Sequence, residues 1–139
     1  MKRTMLAFAW LCLVILAQGC IVIHSEKEMP CPPRTVVPED STIRQIDATS
    51  KLSFDNDRQR GYKRIARRDG LSDAAQVHLV DAVFRHLSFE NARVDVLLAL
   101  VNNPEFSPAA EAAILDRIDR LSFENHKRQV LDAINERPA

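Results

Sequence analysis

Leu-Ser-Phe, an acid and Asn recur as LSFDN at 52–56, LSFEN at 87–91 and LSFEN at 121–125, so the leucines stand 35 and then 34 residues apart. A second marker keeps that period. In DGLS at 69–72 and EFSP at 105–108, the leucine and serine of the first lie 35 residues ahead of the phenylalanine and serine of the second, which aligns Leu71 with Phe106 and Ser72 with Ser107. Two markers in phase, at a spacing inside the range of about 20–50 residues, restrict the chain to stacked supersecondary units. Each such unit buries its apolar face against its neighbours, so the core belongs to the array.

The units read as pairs of helices. Ser72 precedes a stretch in which Val77, Val80, Val83, Phe84 and Leu87 follow helical spacing, and a serine there accepts a backbone N–H at a helix start. Ser107 takes the same position in the next unit, with Pro108 at the first helical residue and a stripe of Ile114, Leu115, Ile118 and Leu121. The partner helices present Leu97, Leu98 and Val101 in one unit and Val130, Leu131 and Ile134 in the other. Asn102-Asn103-Pro104 stops the former. The first unit is the least regular: its opening helix, roughly 39–51, offers Ile43, Ile46 and Leu52, and its second carries Tyr62 and Ile65 around Gly61. Alternation persists nowhere, so strands are not expected. The expected fold is all-α, three stacked helical hairpins of about six short helices, as a small right-handed solenoid or a bundle array. Its repeats cover about 39–69, 70–104 and 105–137.

The box falls at the joint within each hairpin. Local rules give every position a structural job: Phe54, Phe89 and Phe123 fill the corner. Ser88 or Asn91, and Ser122 or Asn125, cap the second helix, and the acid faces its positive end. A ligand site shared by the boxes is the competing reading.

The series Ser53-Phe54-Asp55, Ser88-Phe89-Glu90 and Ser122-Phe123-Glu124, each followed by a base (Arg58, Arg93, Lys127), resembles the family of small helical domains called domain of unknown function 4476. The likeness spans about residues 40–137. It implies a secreted or surface-associated helical domain and no established catalytic activity.

Ahead of the repeats, Lys2 and Arg3 precede an apolar run from Met5 to Ala17, of signal-peptide length and short for a membrane span. It closes on LAQGC at 16–20, which resembles a bacterial lipobox. That resemblance implies removal of residues 1–19 and lipidation (palmitate among the acyl groups) of Cys20. Ile21, where an Asp would retain the protein at the inner membrane, implies outer-membrane delivery facing the periplasm. Residues 20–38, with Pro30, Pro32, Pro33 and Pro38, read as an extended tether. Cys12 leaves with the signal and Cys20 is modified, so Cys31 stands alone in MPCPPR and no intramolecular disulfide forms.

Chemistry-bearing patterns are scarce. His24, His78, His86 and His126 have no metal-ligand spacing, Gly61 and Gly70 are isolated, and no nucleophile sits in a recognisable elbow. Neither metal nor cofactor is expected. Charge is more informative: residues 51–68 hold seven Lys/Arg against two Asp, a formal +5, whereas residues 69–139 hold seven basic against twelve acidic residues, a formal −5. Arg60, Lys63, Arg64 and Arg67 share one helix face, which suits an anionic partner such as an envelope protein or polymer. Nucleic acid is excluded by export and by the shortage of aromatics among these bases. The expected function is therefore a non-catalytic binding or scaffolding lipoprotein of the cell envelope. The alternatives are an envelope hydrolase with a site between hairpins, and a homotypic structural protein.

Overall fold

The computed structural model describes residues 39–137. The expected signal peptide, Cys20, Cys31 and the tether lie outside the described residues.

Six α-helices follow one another: α1 (Glu39–Ser50), α2 (Asp55–Ala66), α3 (Asp73–His86), α4 (Glu90–Val101), α5 (Pro108–Leu115) and α6 (Glu124–Asn135), with a 3₁₀ turn at Ile118–Arg120 before α6. No strand occurs among the described residues. The starts follow local chemistry. Ser72 Oγ accepts the Ala75 amide at 3.2 Å and Ser107 Oγ the Ala110 amide at 3.2 Å, with Pro108 opening α5. Gly70, at φ 74°, makes the turn between the first two hairpins, a conformation that favours glycine.

The helices lie in two layers. In one, α3 packs between α1 and α5; in the other, α4 packs between α2 and α6. Position in the stack explains each helix's apolar pattern. The central α4 has neighbours on both sides, and Ala92, Val94, Val96, Leu97, Leu100 and Val101 are buried around its circumference. The outermost α6 buries only Val130 and Ile134, and α2 only Tyr62, Ile65 and Ala66. Buried core residues run from Ile46 to Ile134, so the packing is self-contained. Leu71 and Phe106, paired by the repeat, are both buried.

Two departures from expectation have physical causes. The stripe Ile114, Leu115, Ile118, Leu121 implies one continuous helix, but α5 ends at Leu115, which is exposed, and the chain reaches Leu121 through the 3₁₀ turn. From Ser107 to Leu121 there is one residue fewer than from Ser72 to Leu87. A 3₁₀ turn rises about 2.0 Å per residue against about 1.5 Å in an α-helix, so tightening the end lets the shorter segment span the same layer. Gly61 interrupts the helical propensity of α2 for a reason: a Cβ there would stand 2.5 Å from Thr49 Cγ2 on α1. Glycine permits the close approach of the first hairpin's helices.

Buried polar side chains tie one unit to the next. Gln76 donates to the Leu71 and Glu105 carbonyls at 3.0 and 2.8 Å and accepts the Ser107 amide at 2.9 Å. Asn103 donates to the Ala66 and Arg68 carbonyls, both at 2.8 Å, closing the end of α2. Arg137, 34 residues on, does the same for α4 through the carbonyls of Val101 and Asn103.

Candidate functional site

The box is where structure and local rules part. Its leucine fills the corner: Leu87 and Leu121 are buried, and Leu52, at the end of the stack, is half-exposed. The phenylalanines point outward instead, Phe54 73 % exposed, Phe89 67 % and Phe123 59 %. Nor do the expected caps form. Phe54, Phe89 and Phe123 themselves occupy the N-cap positions, none with a side-chain cap bond, and Ser88, Asn91, Ser122 and Asn125 are exposed.

The acid of the preceding unit caps these helices. Asp55 accepts the amides of Ser88 at 3.0 Å and Phe89 at 3.1 Å; Glu90 accepts those of Ser122 at 2.8 Å and Phe123 at 2.9 Å. His126 Nδ1 lies 2.8 Å from Glu90 Oε1, and because an ionised carboxylate only accepts, that nitrogen carries the hydrogen. Burial alone would raise the Glu90 pKa, but the Phe123 and Ser122 amides and His126 outweigh it and hold the carboxyl down at about 2. At Asp55 burial is likewise outweighed, by Arg58 and then by the two amides, and the carboxyl sits below its ordinary value.

The base after the box secures the other side of the corner. Arg58 donates to the Leu52 carbonyl at 2.9 Å and Arg93 to the Leu87 carbonyl at 2.8 Å. Leucine, acid and base thus face inward or toward the next unit. With the Ser88-Phe89 and Ser122-Phe123 amides held from behind, and Phe54 exposed at the first joint, the rings project from three successive corners.

The ladder has two ends. Glu124 has no following box, is exposed, and pairs with Lys127 at 2.8 Å. The amides of Ser53 and Phe54 meet no preceding acid among the described residues.

The basic face of α2 divides as well. Lys63 binds Asp95 of α4 at 3.0 Å, beside a bond of 2.9 Å from Gln59 to the same carboxylate, so it belongs to the helix contact. Arg60, Arg64 and Arg67 are exposed and form no ion pair among the described residues. Lys63 and Arg67 also border an open groove of about 400 Å³ between α2 and α4, with Asp95, Leu98 and Pro104 opposite.

The histidines do not gather. His78 pairs with Asp47 at 2.8 Å, and His126 is committed to Glu90 and meets Phe123 edge-on at 5.4 Å. Among the described residues no three His, Cys, Asp or Glu are grouped to hold a metal ion. The groove around His78 is lined by Ile43, Asp73, Ala74, Val77, Asp81, Ala109 and Arg117, a set without a hydroxyl or thiol nucleophile. Asp81 there is engaged by Arg85 at 2.6 Å and Arg117 at 2.8 Å. No helix among the described residues is long and apolar enough to cross a membrane.

The outward phenylalanines were the feature that local reading missed. No local signal marks them, because the residue four after Phe54 and Phe89 is a base, Arg58 or Arg93, that itself turns toward the corner leucine carbonyl.

Comparison with family models, with curated proteins and with solved structures returns no match.

Proposed function

We propose that the protein is a non-catalytic lipoprotein of the bacterial cell envelope, in which a helical array docks an anionic partner through α2. Anchorage is read from Lys2-Arg3, the apolar run and the LAQGC site at Cys20, with delivery to the periplasmic face of the outer membrane read from Ile21. The likeness of the repeated SF-acid elements to domain of unknown function 4476 belongs to the same proposal and adds no chemistry.

The observation that carries the docking role is the exposed triplet Arg60, Arg64 and Arg67, one helical face without ion partners among the described residues. Solvated guanidinium groups at that spacing present a stripe of planar donors suited to carboxylate or phosphate groups. Lys63 is withdrawn from the expected set because it neutralises Asp95. A hydrolytic reading would rest on His78 held by Asp47, and the groove beside it supplies no hydroxyl or thiol nucleophile.

The test is recovery of envelope components from a detergent-solubilised envelope fraction, comparing wild type with Arg60→Glu/Arg64→Glu/Arg67→Glu. Selective loss of an anionic component from the variant supports the reading. An identical set of recovered components refutes it. Incorporation of labelled palmitate, abolished by Cys20→Ser, tests the anchor separately.

A further inference from the structure

We propose that the edge bearing Phe54, Phe89 and Phe123 docks on an anionic lipid bilayer, the three rings entering the interface while Lys51, His86 and Arg120 face the headgroups. The inference deepens the lipoprotein reading and rests on it for the proximity of the membrane. Three rings at 59–73 % exposure on equivalent corners form an apolar row of the kind that marks an interaction surface. At the second and third joints the buried Leu87 and Leu121 fill the corner, so Phe89 and Phe123 have no part in the core. Those two rings are held outward, since Asp55 and Glu90 fix the Ser88-Phe89 and Ser122-Phe123 backbone from behind.

The occupant is argued from shape, charge and tether. Successive corners are separated by about one helix spacing, 8–10 Å, so the rings make a ridge of single projections. A bilayer accepts a ridge without complementary pockets, and aromatic rings beside bases are the composition of interfacial elements. Three residues before each ring stands a base: Lys51, His86 and Arg120. Lys51 and Arg120 are exposed without ion partners among the described residues. The box acids do not cancel them: Asp55 and Glu90 are turned into the ladder and Glu124 is paired with Lys127, which leaves Asp57, Asp116 and Asp119 as exposed acids close in sequence. From Cys20 to the start of α1 at Glu39 is nineteen residues of sequence. An extended chain of that length reaches at most roughly 60 Å, so a lipid on Cys20 keeps the edge within reach of the bilayer at raised local concentration and a weak contact suffices.

The test uses the lipid-free domain, residues 35–139, whose core is self-contained, and co-sedimentation with vesicles of phosphatidylglycerol and phosphatidylethanolamine or of phosphatidylcholine alone. Wild type is expected to sediment with the anionic vesicles, and Phe54→Ser/Phe89→Ser/Phe123→Ser to bind at least about tenfold more weakly with an unchanged melting curve. Lys51→Glu/Arg120→Glu is expected to lose the preference for anionic vesicles. Because Trp10 is the chain's one tryptophan, Phe89→Trp supplies a unique reporter, whose emission shifts to the blue on binding. Wild type remaining in solution, equal binding by the serine variant, or an unshifted Trp spectrum overturns the proposal. Failure of palmitate labelling at Cys20 while vesicle binding persists overturns the anchor alone.

Discussion

Replacing Glu90 by Gln should cost the domain about 2 kcal/mol at neutral pH, although the change is isosteric and lies at a joint on the surface. The Glu90 side chain is 11 % exposed and takes three donors, from Ser122, Phe123 and His126, all within 2.9 Å. A glutamine oxygen can still accept one amide, but its NH₂ group turns a donor toward the others, leaving bound N–H groups unpaired. The pKa gives an independent magnitude. A drop from 4.5 to about 2 corresponds to roughly 3.4 kcal/mol at about 1.36 kcal/mol per unit, an upper bound that solvent screening at the edge reduces to about 2. Because the folded state holds the proton less tightly than the unfolded chain, this stability is fully present above pH 4.5 and is lost as pH falls toward 2.

The assay is urea and thermal denaturation followed by circular dichroism, at pH 7 and again near pH 2.5. At pH 7 the variant should melt about 8–16 °C lower, as 2 kcal/mol implies for a domain of this size. Near pH 2.5 about three quarters of the difference should vanish, since glutamine does not titrate, the unfolded chain's carboxyl is then protonated, and the folded one has begun to take up its proton. Glu124 is the internal control: the same box position, but without a following unit, so Glu124→Gln should be indistinguishable from wild type. A Glu90→Gln loss under about 0.5 kcal/mol at pH 7, or a gap that persists unchanged to pH 2.5, would refute the ladder as a source of stability.

Three further outcomes follow from the packing. Leu87→Ala should cost about 2–5 kcal/mol, and Phe89→Ala less than about 0.5, in the same denaturation assay; the opposite order would mean that phenylalanine fills the corner. Gly61→Ala should destabilise by about 1–3 kcal/mol despite its better helix propensity, because Thr49 is held by a 2.8 Å bond to the Gln45 carbonyl and cannot turn away freely; adding Thr49→Ala should restore stability. Gln76→Leu should cost about 2–3 kcal/mol by leaving the Ser107 amide and two carbonyls unpaired, and hydrogen exchange at Ser107 should speed up in that variant.

The parts of this molecule that were legible in the sequence are those whose cause lies within one helix. Val80, Val83, Phe84 and Leu87 are buried because their spacing puts them on one face, and Ser72 and Ser107 cap because the amides they serve are three residues away. The box defeated the same rules because its decisive bonds span 32 to 36 residues. Asp55 and Glu90 look like first-turn acids serving their own helices, yet each serves the helix one period later. That assignment needs the register of the stack, which periodicity supplies only after the hairpins are placed in layers. The loss of one residue between Ser107 and Leu121 was visible as a 34-residue interval, but its conversion into a 3₁₀ turn depends on α3 beside it, which sets the length α5 must cover. The box therefore divides by direction. Leucine, acid and base are consumed by the fold, whereas phenylalanine, serine and asparagine are presented by it, and the presented half is where binding must be sought.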